Sequence, residues 1–186
     1  MTTNNNEERW LRGYYAVRAG FSVIWVLLAL TIGAHSMQLA VVLLLVYPAW
    51  DGIANYFDAA RSGGLGRNRT QAINVAVSAV TTLAVAIALG RSMNAVLAVF
   101  GAWAFFAGLL QLATAVHRWK RYGAQWVMVL SGGQSALAGV LFIVMAQKPE
   151  MPSIGDVAGY AGVGAFYFLV SAIWLSVAMA RRQRAA

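Results

Sequence analysis

The chain has 186 residues, of which 60% are hydrophobic and 11% charged, and it carries a formal net charge of +8 with no cysteine. Soluble domains carry about a quarter charged residues, so this composition, with a mean hydropathy of +0.64, excludes an ordinary water-soluble fold. The missing cysteines exclude disulfides, thiolate metal sites and a thiol nucleophile, and basic residues scattered in short clusters between apolar stretches exclude a nucleic-acid surface.

Residues 1–13 are polar, lack a cleavage pattern and read as a cytoplasmic N-terminal segment. Six apolar spans follow, at about 14–33, 39–60, 72–90, 95–116, 126–146 and 157–180, and residues 181–186 form a basic cytoplasmic tail. At about 1.5 Å rise per residue, roughly 20 residues cross a hydrocarbon layer of about 30 Å. Continuous apolarity excludes the alternating pattern of a membrane barrel, leaving helices as the structure that satisfies its own backbone in lipid. The predicted fold class is therefore all-α, an integral membrane protein of six transmembrane helices.

The charges orient the spans. With an even number of crossings, Arg9, Arg12, Arg61, Arg67 and Arg69 fall on one side, together with Arg118, Lys120, Arg121, Arg181, Arg182 and Arg184. The other side keeps Arg91 and Lys148. The positive-inside bias then places both termini in the cytoplasm of a bacterial inner membrane, and the basic loops are suited to anionic lipid headgroups. Trp10, Trp119 and Trp126 fall at the cytoplasmic interface, where an amphipathic ring is well solvated on both sides.

Pairing the spans as hairpins exposes a repeat with a period of roughly 53 to 63 residues. Tyr47-Pro48-Ala49-Trp50, Phe100-Gly101-Ala102-Trp103 and Val163-Gly164-Ala165-Phe166 hold matching places in the second, fourth and sixth spans. The turn Gly33-Ala34-His35-Ser36-Met37-Gln38 echoes Gly90-Arg91-Ser92-Met93-Asn94. Three hairpins in one orientation make parallel repeats about an axis along the membrane normal.

Three stretches carry a family resemblance: Tyr47 to Ile53 (YPAWDGI), Phe100 to Leu112 (FGAWAFFAGLLQL) with the basic cluster Arg118 to Arg121, and Trp126 to Gly139 (WVMVLSGGQSALAG). Together they resemble the HdeD-type acid-resistance membrane proteins, also called domain of unknown function 308. The resemblance implies a six-helix inner-membrane protein linked to acid or envelope stress, with no catalytic residues to carry over.

Arg18, Asp51 and Asp58 are ionisable residues inside spans, where a charge costs about 2.5–3.5 kcal/mol unless it faces the bundle interior, pairs or snorkels. Asp51, Asn55 and Asp58 share one helix face by their i, i+4, i+7 spacing. Counted from Ser36, Arg18 is level with them, which predicts an ion pair from Arg18 to Asp51 or Asp58. Such a pair either fixes helix register or supplies a protonatable group at the base of a polar crevice. Asn74, Ser78 and Thr81 form a second stripe, and Gln111, Thr114, Ser131 and Gln134 add weaker ones in the cytoplasmic half. If they converge they line a vestibule; otherwise they are interhelical hydrogen-bonding glue. Glycines in the last two spans, such as Gly132, Gly139, Gly155 and Gly159, read as close-packing surfaces.

His35 and His117 fall at opposite ends and cannot share a metal. No nucleophile with a base, phosphate loop or metal quartet is present, so neither an enzyme nor a cofactor is expected. The expected function is a non-enzymatic stress-associated membrane protein acting by packing or by contact with lipid, a second copy or another membrane protein. The alternatives are a small proton or solute conduit and an accessory subunit of a larger complex.

Overall fold

The computed structural model describes residues 2–120 and 123–184, so Arg121 of the basic cluster and the last two residues lie outside the described residues. Six long helices account for the fold: α1 (Thr2–Thr31), α2 (Met37–Arg61), α3 (Arg69–Leu89), α4 (Met93–Arg118), α5 (Gln125–Met145) and α6 (Ile154–Arg184). Each is long and apolar enough to cross a membrane, and the chain is a multi-pass helical membrane protein. α1 and α6 run past their apolar spans at the same end. There, Glu8 of α1 is buried and ion-paired with Arg182 of α6. We call this the terminal end and the opposite one the turn end.

The three helices that return from the turn end begin alike, which gives the sequence repeat a physical basis. The Ser36 hydroxyl accepts from Leu39 N–H at 3.4 Å, and the Ser92 hydroxyl accepts from Ala95 N–H at 3.1 Å. Before α6, the Ser153 hydroxyl accepts from Gly155 N–H at 3.1 Å, while Ser153 N–H donates to Asp156 Oδ2 at 2.7 Å. Each serine satisfies one of the orphan donors at a helix start, a bond worth about 1 kcal/mol. Asn94 joins two of the turns by donating to the carbonyls of Ala146 and Lys148 at 3.3 and 3.0 Å.

The helices close into a ring. The closest seams are α4 with α5, α1 with α6, and α2 with α3; α3 with α4 comes next, and α5 with α6 and α1 with α2 are looser. The three closest seams all lie between successive hairpins, with α6 closing back on α1. The α4–α5 seam depends on glycine. A Cβ at Gly139 would lie 2.5 Å from Gly101 O and Phe105 N, and one at Gly108 would lie 2.6 Å from Gly132 O and Ala136 N. Seven-residue spacing on both helices (Gly101 and Gly108, Gly132 and Gly139) puts the glycines on one face of each, so the backbones touch. Gly133, Gly159 and Gly162 meet nothing within 4 Å.

Polarity is distributed inside out. Leu27, Val80, Leu83, Ile87 and Leu137 are exposed on the outer surface, whereas Asp51, Asn55, Asp58, Asn74 and Ser78 are buried. In lipid this is the stable arrangement, because the exposed face meets acyl chains and the polar groups meet one another. Trp25, Leu44, Phe100, Leu97 and Val157 form an apolar core toward the turn end. A second core, around Leu11, Tyr15, Val127, Phe168 and Leu175, binds α1, α5 and α6 nearer the terminal end. The polar groups occupy the interior between these two cores.

Candidate functional site: a polar chamber inside the helix ring

All six helices contribute to one interior cavity of about 90 Å³. At about 30 Å³ for each water, its share of the liquid, this is room for roughly three water molecules. Arg18, Asp51, Asn55, Asp58, Asn74, Gln111 and Gln134, the seven polar residues singled out by spacing, all line it. They are joined by aromatic rings from several helices, among them Tyr14, Tyr47, Trp103, Tyr160 and Phe168.

Two ion pairs organise the chamber. Arg18 pairs with Asp51 across the loose α1–α2 seam, and its guanidinium also donates to the Tyr14 hydroxyl at 3.1 Å. The same guanidinium lies over the Phe168 ring, 4.4 Å from its centroid, a cation–π contact that offsets part of its desolvation. The other oxygen of Asp51 accepts from Ser78 Oγ at 2.9 Å and Asn55 Nδ2 at 3.1 Å. Ser78 Oγ in turn accepts from the Trp103 indole at 3.1 Å. The Asp51 carboxylate is thus bonded on both oxygens by groups from α1, α2 and α3, and α4 is tied in through Trp103.

Asp58 sits two turns nearer the terminal end and pairs with Arg118, not Arg18. Its Oδ2 accepts from Arg118 Nη2 at 2.9 Å and Gln71 Nε2 at 3.1 Å. Its Oδ1 is buried and has no hydrogen-bond partner among the described residues. Asp58 and Arg118 border both the chamber and a second, wider void of about 440 Å³ at the terminal end. That vestibule is also lined by Trp10, Arg61, Asn68 and His117. The Asp58–Arg118 pair therefore stands at the neck between the two.

Toward the turn end the chamber is closed. Trp103 meets Tyr47, Phe100 and Tyr160 edge to face, at centroid separations of 5.7, 5.8 and 6.1 Å. Ser135 Oγ bonds Ala104 O at 2.9 Å and the Tyr160 hydroxyl at 2.7 Å. Beyond these rings lies the apolar core.

Arg118, Gln71, Tyr14 and Tyr160 were not among the sequence candidates. Arg118 counted only as an orienting charge, although it follows Gln111 and Thr114 at i+7 and i+4 on one face of α4. Gln71 likewise precedes Asn74 by three residues and extends the stripe on α3. Extending each polar stripe by one more turn finds both. His35 and His117 lie at opposite ends, and no group of three histidine, aspartate or glutamate side chains is placed to hold a metal ion among the described residues.

Residues 75–144, from α3 through α4 to the end of α5, match the model of a family of membrane proteins described as a short repeat of unknown function (DUF308). The matched segment carries Ser78, Trp103, Gln111, Arg118, Gln134 and all four glycines of the α4–α5 seam, but neither Arg18 nor the two aspartates. No curated protein and no solved structure is significantly similar to the chain.

Proposed function

We propose that the protein is a non-enzymatic component of a bacterial inner membrane that admits a small polar solute from the cytoplasm into its central chamber. The observation that carries this reading is the convergence of the seven spaced polar side chains, and of Arg118 with them, on one cavity with room for a few waters inside an otherwise apolar ring. Buried polar groups in a membrane are expensive, and packing alone is served at lower cost by residues such as the Gly101, Gly108, Gly132 and Gly139 set. A concave site with a few convergent polar groups and aromatic walls is the usual form of a small-molecule site. Access from the cytoplasm is supported by the positive-inside bias of the arginine-rich terminal end, which the vestibule adjoins. With the turn end closed by aromatic rings, the arrangement is one side-open state of a conduit. The resemblance to HdeD-type proteins extends the proposal to a use under acid or envelope stress.

The test is solute permeation in proteoliposomes. Urea and glycerol influx, followed by light scattering after an osmotic step, should exceed that of empty liposomes. Ala107→Phe, which places a ring in the chamber wall, should return it to the background. Influx equal to that of protein-free vesicles would overturn the reading and return the packing role or the accessory-subunit role to first place.

A further inference from the structure

Asp58 is held yet incompletely used. It is 3% exposed, it borders both voids, and one of its carboxylate oxygens has no donor among the described residues. A buried charged acceptor without a partner costs more than an ordinary missing hydrogen bond, so the site suits a donor that none of the described residues supplies. Its cationic partner among the described residues, Arg118, is the last residue of α4 and reaches the carboxylate by a long stem that borders the vestibule. Asp58, on a short stem, is fixed by Gln71 and by α2. A cation arriving from the vestibule can therefore exchange with Arg118, whereas an anion that drew Arg118 away would leave the buried Asp58 carboxylate without a counter-charge.

The aromatic part of the chamber wall suits this sign of charge. Tyr14, Tyr15, Trp50, Tyr167 and Phe168 line the chamber, and ring faces attract cations. Arg18 over Phe168 shows one cation already seated so. Space for roughly three waters limits the guest to a few non-hydrogen atoms, and a carboxylate oxygen without a partner among the described residues can accept from an N–H donor.

Resting on the chamber reading above, we propose that Asp58 is the binding carboxylate for a small organic cation bearing N–H groups, a guanidinium or primary ammonium. Arg118 occupies that position as a tethered competitor until the guest displaces it. No covalent step is involved: one cation leaves the carboxylate for the aqueous vestibule as the other takes its place.

The experiment is calorimetric titration of the purified full chain in nanodiscs with guanidinium and ethylammonium, using tetramethylammonium and acetate as controls at equal ionic strength. Guanidinium and ethylammonium should bind saturably, and the controls should not. Arg118→Gln should tighten binding tenfold or more by removing the competitor. Asp58→Asn alone strands Arg118, so the informative variant is Asp58→Asn with Arg118→Gln, a neutral pair of similar shape. It should remain monodisperse and bind neither cation. Absence of saturable binding to both wild type and Arg118→Gln, equal binding of tetramethylammonium, or undiminished binding by the double variant would each overturn the proposal. Urea influx without cation binding removes this inference and leaves the chamber reading; cation binding without influx does the reverse.

Discussion

Asp51 and Asp58 lie two turns apart on one face of α2, and among the described residues only Asp51 finds partners for both carboxylate oxygens. The difference divides the labour within one polar stripe. Asp51 joins neighbouring helices through Arg18 and Ser78, deep in the ring. Asp58 is held from one side by Arg118 and Gln71 and stands where the chamber narrows toward the vestibule.

If Asp51 is a strut, removing it strands a buried guanidinium. Asp51→Ala should cost about 3–5 kcal/mol, the usual penalty for breaking a buried pair from one side. Arg18→Met combined with Asp51→Leu should cost less than the two single changes together, because no uncompensated charge is left behind. Thermal aggregation of detergent-solubilised protein, read by size exclusion after heating, measures both. Additive losses would mean that the pair is not coupled.

The hydroxyl of Ser78 serves two neighbours at once, donating to Asp51 and accepting from Trp103. Ser78→Ala should cost about 1–3 kcal/mol by leaving the indole N–H without an acceptor, and Trp103→Phe more than the roughly 0.5–1.5 kcal/mol of the hydrogen bond, because part of a buried ring system goes with it. The double variant should lose less than the sum, since its second change removes a donor already orphaned. The same heating assay decides, and a double variant at the full sum would show that the two groups act apart.

Much of the architecture can be read from composition and period, because a run of about 20 apolar residues has few other solutions than a membrane helix. The i, i+4, i+7 stripe at Asp51, Asn55 and Asp58 was legible for a related reason: charge inside such a run has to face the protein. Neighbour order was not. Away from the polar stripe both the helix-facing and the lipid-facing sides of a span are apolar, so nothing in the pattern of α1 says that it packs on α6 more closely than on α2. Arg118 was missed because a basic residue at the end of a span serves equally well as an orienting charge or as an ion-pair partner. Three-dimensional register alone decides between them. Gly155 and Gly159 have packing spacing, yet the backbone-to-backbone approach occurs at Gly101, Gly108, Gly132 and Gly139, where the facing helix also presents glycine.

That approach gives a sharp contrast between glycines. Gly139→Val or Gly108→Val would drive side-chain carbons into backbone atoms 2.5–2.6 Å from the first of them, which the facing helix cannot relieve by a rotamer change. The expected result is a loss well above the 1–3 kcal/mol of ordinary overpacking, seen as failure to recover monodisperse protein. Gly133→Ala and Gly162→Ala, with no atom within 4 Å, should be recovered at wild-type yield. Equal tolerance at all four positions would refute the close α4–α5 seam.

The absence of cysteine makes sidedness directly measurable, because any thiol introduced is the only one. His35→Cys at the turn end should be labelled by an impermeant maleimide from outside intact cells, and Asn68→Cys only after the membrane is opened. This order follows from the arginine bias alone. Gln134→Cys is more demanding, since residue 134 lines the chamber in the middle of α5. A thiol there should react with small methanethiosulfonates only if water reaches it, and in inverted vesicles but not intact cells if the chamber opens through the vestibule. Pre-labelling Asn68→Cys with a bulky group in the double-cysteine chain should slow that reaction. Labelling of residue 134 from the outside first would reverse the direction of access and with it the role assigned to the Asp58–Arg118 neck.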